Sequence, residues 1–192
     1  MKLKTKFLAV AALAASLVAT TIGCGGTSQT PLIVTLEAIS VAADVGAPVL
    51  AALSPATAGF VALIPGIVTA ALDVAEGKQP LSTASTVAGQ LQSVFTQGSA
   101  LLTTLSATEK GIVQGILSAI QSGISLWNQT YGTTTTQADF VARGYTNGFF
   151  TTPNPQTAKV KKLNAKDKAA IARARVHIAK LEAAIAARKA GK

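Results

Sequence analysis

The sequence predicts an all-α protein: a small bundle of about four to six helices with a separate basic C-terminal helix. The 192-residue chain is rich in alanine, and aromatic residues make up 5% and charged residues 13%, which favours close-packed helices over sheets. Apolar residues recur at spacings of three and four over long stretches, as on one face of a helix. Two helix-capping patterns, at Ser106 and Asn164, each have an acidic residue three positions later, which is typical of helix starts.

Hydropathy and charge divide the chain into five consecutive segments. Each is defined by its composition rather than by a repeat. They are a signal peptide at 1–23, a tether at 24–31, a helical body at 32–131, a loop-rich connector at 132–163 and a basic amphipathic helix at 164–190.

The first segment has the pattern of an export signal. Three lysines within the first six residues precede an apolar run at 7–18, and Cys24, the one cysteine of the chain, follows Gly23. A helix that crosses a bilayer needs about 20 apolar residues. The shorter run is typical of a secretory signal peptide that is removed on export.

The end of this segment resembles the signal of a bacterial lipoprotein, in which the cysteine receives lipid and becomes the new N-terminus. Gly23, Cys24 and the uncharged residues before them match that pattern. The resemblance implies that Cys24 attaches the protein to a lipid bilayer. Because Gly25 rather than aspartate follows, it also implies the outer membrane, facing the periplasm, in a Gram-negative host. The alternatives are plain secretion, which leaves a free thiol, and an uncleaved N-terminal anchor.

The segment 32–72 is strongly apolar and is interrupted by prolines and glycines. Because proline breaks regular helices, we expect short helices near 33–45, 47–53 and 58–75, the last kinked at Pro65. Two interpretations stay open at this point. The helices are the core of a soluble bundle, or they form a membrane-inserting hairpin.

After a turn at 76–81, the spacing of apolar residues predicts a helix over about 83–105. A capping box of Ser106 and Glu109 then begins a helix that runs to about Tyr131. Small residues recur every four positions along it and form a smooth ridge, suited to a tight crossing in a soluble bundle or to helix association in a membrane. The ridge residues are Gly111, Gly115, Ala119 and Gly123.

Aromatic residues are expected to close the ends of the core. Trp127 and Tyr131 stand at the end of the last body helix. The connector is rich in Gly, Thr, Asn and Pro, with a helical turn expected at 139–143. Phe149 and Phe150 are predicted to cap the body, the alternative being an exposed docking point.

The charge of the mature chain is unevenly distributed. Residues 24–158 hold three basic and six acidic residues, whereas 159–192 hold eleven basic and two acidic residues. Asn164 and Asp167 cap a helix whose apolar positions form a narrow stripe. The stripe residues are Ile171, Ala174, Ile178, Leu181 and Ile185.

This basic helix is the predicted contact site of the protein. Its stripe and its cations suit packing on the body or a partner helix, or contact with anionic lipid or wall polymer. No aromatic residue is available there to stack on bases, so no nucleic-acid partner is expected. The contact residues predicted are Arg173, Arg175, Lys180, Arg188 and Lys189.

Residues suited to catalysis are scarce. His177 is the one histidine, expected at a partly exposed surface among cations. A hydrolase that uses Asp73 and Glu76 is the least favoured interpretation, because no partner residue is evident for them. We therefore expect no enzyme, cofactor or metal site, and predict a lipid-anchored cell-envelope protein with a non-catalytic structural or interaction role. The alternative is a membrane-active protein that inserts 32–72 as a helical hairpin.

Overall fold

The computed structural model describes residues 29–53, 55–132 and 163–190. Within these ranges the chain forms five α-helices and one short 3₁₀ turn, with no strand, so the predicted all-α class is confirmed. The predictions for the signal peptide, Cys24, the turn at 139–143 and the Phe149–Phe150 pair lie outside the described residues. The elements are α1 (Thr30–Leu53), α2 (Pro55–Ala75), a 3₁₀ turn (Leu81–Thr83), α3 (Ala84–Leu101), α4 (Ala107–Tyr131) and α5 (Ala165–Ala190).

The first helix, α1, is continuous where two short helices were predicted. It runs through Gly46 and Pro48 without a break. At Gly46 an added Cβ would lie 2.7 Å from Ile112 Cγ2. This glycine therefore leaves room for the Ile112 side chain of α4 and does not end the helix. Tertiary packing therefore overrides the low helix propensity of both residues.

The second helix, α2, begins at Pro55, three residues before the predicted start. Proline suits the first helical position, because the N–H that it lacks would have no partner there. The Thr57 hydroxyl donates to the Leu50 carbonyl of α1 at 2.6 Å and joins the two helices near their connection. Pro65 lies buried inside α2, and the chain leaves the helix at Gly77 with a φ of 73°, which confirms the predicted turn.

The third helix, α3, ends at Leu101 rather than near residue 105, and a turn leads into α4. The predicted cap of α4 is present, with Ser106 N donating to Glu109 Oε2 at 2.7 Å. At the other end of α4, Gly132 takes a left-handed conformation with a φ of 63°. Glycine does so without the steric cost that a side chain would add.

α1 lies at the centre of the bundle and packs against α2, α4 and α5, while α3 packs between α2 and α4. Gly123 of α4 lies against Ile39 of α1, and Gly46 lies against Ile112, so α4 runs antiparallel to α1. Trp127 is fully buried, and its Nε1 donates to the Ala84 carbonyl of α3 at 2.9 Å. The core is therefore closed at this end by an aromatic residue, as the sequence predicts.

The C-terminal helix, α5, packs against α1 and α2 and is an integral member of the bundle. The prediction of a separate helix is thus corrected, because its apolar stripe finds a partner within the same chain. Its predicted cap is confirmed: Asn164 N donates to Asp167 Oδ2 at 3.2 Å, and Asp167 N to Asn164 Oδ1 at 2.9 Å.

Candidate functional site

The interface between α5 and the body contains the apolar stripe and two of the five predicted contact residues, Arg173 and Arg175. Four of the five residues of the α5 stripe are buried, with Ala174 and Leu181 fully inaccessible, and Ile185 is partly buried at the edge of the core. Burying such side chains stabilises a protein by about 25 cal/mol per Å² of apolar surface removed from water. The stripe therefore supplies the adhesion between α5 and the body.

On one side of the stripe, α5 binds acidic residues of α1. Arg173 holds Glu37 with two hydrogen bonds, from Nε to Oε1 at 2.5 Å and from Nη2 to Oε2 at 3.0 Å. One turn further along, His177 Nδ1 lies 2.8 Å from Asp44 Oδ2. His177 is partly exposed, as predicted, but its neighbour is a carboxylate rather than a group of cations.

On the other side of the stripe, Arg175 binds two acidic residues at the end of α2. Its Nη2 donates to Asp73 Oδ1 at 2.7 Å and also to Glu76. Lys78 Nζ lies 3.0 Å from Glu76 Oε2 as well. Burial alone would raise the pKa of Glu76, but the hydrogen bonds and charges of Arg175 and Lys78 outweigh burial and hold it below its ordinary value of 4.5.

We call these contacts the charged seam: Arg173, Arg175 and His177 of α5 with Glu37, Asp44, Asp73 and Glu76 of the body. Those four carboxylates are all the charged residues between positions 30 and 76, and each binds α5. The acidic body and the basic tail that the sequence separates are thus complementary parts of one chain. Ion pairs at partly exposed positions contribute little to stability, so the seam chiefly fixes the position of α5 along the body.

Two residues of the predicted contact set, Arg173 and Arg175, bind acidic residues of the body. Lys180 is exposed, and Arg188 is half-buried with no hydrogen-bond partner for Nη1 among the described residues. The side chain of Lys189 lies outside the described part.

Within the bundle, the predicted ridge of α4 packs closely only in its C-terminal half. Ala119 is buried, and a Cβ at Gly123 would lie 3.1 Å from Ile39 Cδ1. A Cβ at Gly111 or Gly115 would have no neighbouring atom within 4 Å. Sequence reasoning missed the tightest approach, at Gly98 of α3, because no small-residue spacing marks it.

Gln29, Tyr131 and Asn164 lie at one end of the bundle. Gln29 Nε2 donates to Tyr131 Oη at 3.4 Å, and Asn164 Nδ2 donates to Thr30 Oγ1 at 3.5 Å. Burial raises the pKa of Tyr131 to about 12. Tyr131 also packs on Trp127 with ring centroids 4.5 Å apart, so the start of α1, the end of α4 and the start of α5 meet here.

The described residues offer little chemistry besides these contacts. They contain no group of three His, Cys, Asp or Glu side chains able to hold a metal ion. A small cavity between the first four helices has only aliphatic residues in its lining, among them Ile39, Ile64, Leu91 and Ile120. The lowered pKa of Glu76 and its contact with Arg175 keep this carboxylate ionised near neutral pH, where it is unsuited to donating a proton.

Two described helices contain stretches that are long and apolar enough to cross a membrane, at Thr30–Ala47 and Thr57–Ala75. Half of each stretch is buried inside the bundle, and core helices of soluble proteins meet the same criterion of length and composition.

No known protein family matches the sequence, and neither the curated proteins nor the solved structures contain a match to it.

Proposed function

We propose that this protein is an exported, lipid-anchored cell-envelope protein with a non-catalytic structural or interaction role. The observation that carries the proposal is the position of Cys24, which directly follows a signal-like segment and precedes the packed bundle by only a few residues. Gln29 is already buried and α1 begins at Thr30. A lipid on Cys24 would therefore be joined to a folded domain through a short tether.

The energy of anchoring supports this arrangement. Each CH₂ group placed in a bilayer contributes about 0.8 kcal/mol, so two or more acyl chains on one residue give lasting attachment. Lipidation would also consume the only thiol of an exported chain, which otherwise has no partner for a disulfide. The bundle can then act at the membrane without inserting into it.

The hairpin alternative has a specific obstacle in the structure. Glu37 and Asp44 lie within the first apolar stretch, and both bind α5. Inserting that stretch would separate them from Arg173 and His177 and move two acids toward the bilayer centre, at a cost of about 2.5–3.5 kcal/mol for an aspartate on insertion scales. Protection of 32–72 from proteolysis in liposomes is the result that would favour the hairpin instead.

The anchor is tested by replacing Cys24 with alanine. We expect the Cys24→Ala protein to leave the membrane fraction after a high-salt wash, while a Ser28→Ala control stays with the membranes. Mass spectrometry of the N-terminal peptide of the wild type is expected to find it starting at Cys24 with the mass of the attached lipid. Retention of Cys24→Ala in washed membranes would contradict the proposal.

A further inference from the structure

One end of the bundle lies next to the proposed lipid anchor. We call it the near end, formed by Gln29 and Thr30 of α1, Tyr131 of α4 and Asn164 before α5. Cys24 precedes Gln29 by five residues, and five residues of fully extended chain span about 17 Å at most. An anchor at Cys24 therefore keeps the near end close to the bilayer surface.

Two exposed lysines, Lys166 and Lys168, lie at the near end in the first turn of α5. Neither lysine forms an ion pair with an acidic residue of the described chain. Asp167 stands between them, but it is buried and its side chain caps Asn164. Within the described part of the chain, the near end thus carries two exposed cations.

The stability of α5 does not explain these lysines. The first turn of a helix carries the positive end of the helix dipole, where cations are unfavourable and anions favourable. In the seam, by contrast, Arg173 and Arg175 are matched to carboxylates. Neither lysine is matched to a carboxylate among the described residues, so at this unfavourable position both are available to a negatively charged partner.

We propose that Lys166 and Lys168 bind the anionic headgroups of the membrane that holds the lipid, so that the bundle stands on its near end. This inference rests on the proposed lipid anchor. Arg173 and Arg175 bind carboxylates of the body, whereas Lys166 and Lys168 are exposed and have no ion-pair partner among the described residues. A basic residue near an anionic surface increases binding by about fivefold, so the pair contributes about 25-fold to the contact equilibrium.

The experiment uses the full lipidated protein, reconstituted in vesicles with or without anionic lipid. A fluorophore is placed on a cysteine introduced at Ala165 of the near end or, in a second sample, at Thr104 in the turn at the opposite end; both positions are exposed. A quencher attached to lipid headgroups reports which end lies at the surface. We expect strong quenching at position 165 in anionic vesicles and weak quenching at position 104.

Neutralising the two lysines tests their role. In K166Q/K168Q the contact equilibrium should fall by about 25-fold, and quenching at position 165 should drop to its level in uncharged vesicles. The control is K110Q, which removes a cation from the start of α4 at the opposite end of the bundle and should leave quenching unchanged. K166Q/K168Q removes cations from the N-terminus of α5, where they are unfavourable, so α5 is expected to remain folded. Circular dichroism can verify this.

The outcomes separate this inference from the proposed function. Equal quenching at the two labelled positions, or near-end contact that survives K166Q/K168Q, overturns the inference even when mass spectrometry finds lipid on Cys24. A native N-terminus without lipid overturns both proposals. Near-end quenching that requires anionic lipid and both lysines supports the end-on arrangement.

Discussion

The bundle contains two contrasting helix interfaces. At the first, α3 meets α2 and α4 at Gly98, where an added Cβ would lie 2.6 Å from Phe60 Cε2 and 2.7 Å from Leu117 Cδ2. At the second, α5 meets the body through its apolar stripe, with the charged seam on both sides. Close packing of complementary shapes specifies the first interface. At the second interface, apolar packing holds α5 on the body, and ion pairs fix the position of α5 along it.

The difference matters for how precisely each helix is placed. An apolar stripe with spacings of three and four can pack at more than one position along a smooth partner. A slip of α5 by one turn would separate Arg173 from Glu37 and Arg175 from its two carboxylates, and a charge left without its partner is costly where it is partly buried. The seam therefore selects one position among several that the stripe allows.

The largest loss of stability is expected from truncating a buried side chain of the apolar stripe. Leu181 is fully buried, and replacing a buried leucine with alanine costs about 2–5 kcal/mol. Leu181→Ala should therefore lower the free energy of unfolding by that amount in urea denaturation. Val176→Ala on the exposed side of the same helix, where valine is 54% accessible, is the control and should have little effect. Equal losses from both variants would show that the stripe does not carry the adhesion of α5.

A smaller effect is expected at Gly98, which tests the first interface. A valine there would crowd the Phe60 ring and the Leu117 methyl group, and such overpacking costs about 1–3 kcal/mol. Gly89 of the same helix has open space around it, so Gly89→Ala should stabilise α3 by about 0.5–1 kcal/mol. Thermal unfolding of both variants gives the comparison. A Gly98→Val protein as stable as the wild type would mean that α3 is not specified by close packing.

The smallest effect is expected from the charged seam. Arg175→Ala should cost about 1 kcal/mol at pH 7, a value reduced by solvent screening. Lys180→Ala, which removes an exposed cation from the same helix, is the control and should change stability less.

The seam also makes this loss dependent on pH. Because the pKa of Glu76 is lowered in the folded protein, its contribution is present above the ordinary value of 4.5 and is lost as the pH falls through the folded value. The difference in unfolding free energy between wild type and Arg175→Ala should therefore shrink from pH 7 to pH 3. A difference that stays constant over this range would exclude the ion pair as its cause.

Local patterns predicted the elements of the fold well where capping and periodicity agree. The starts of α4 at Ser106 and α5 at Asn164 were identified, since a cap depends on residues three positions apart. The break predicted within α1 was wrong because Gly46 and Pro48 signal helix ends only in the absence of packing. Contact between Gly46 and Ile112 joins residues distant in the sequence, which no local pattern reveals.

The charged seam was predicted only in part. The sequence showed an acidic body and a basic tail, and the basic helix was identified as a contact element. Its partner was missed because Arg173 and Glu37 are separated by 136 positions, and Arg175 and Asp73 by 102. One signal was available: every charged residue between positions 30 and 76 is acidic, which indicates a common cationic neighbour.

The parallel course of α1 and α5 has a practical consequence. Asn164 lies beside Thr30, Arg173 beside Glu37 and His177 beside Asp44, so both helices rise in the same direction from the near end. A 26-residue helix is about 39 Å long at 1.5 Å per residue. A reporter domain fused after α5 would therefore emerge at the top of the bundle, about 40 Å above the headgroups in the end-on arrangement, where it would sample the aqueous compartment rather than the lipid.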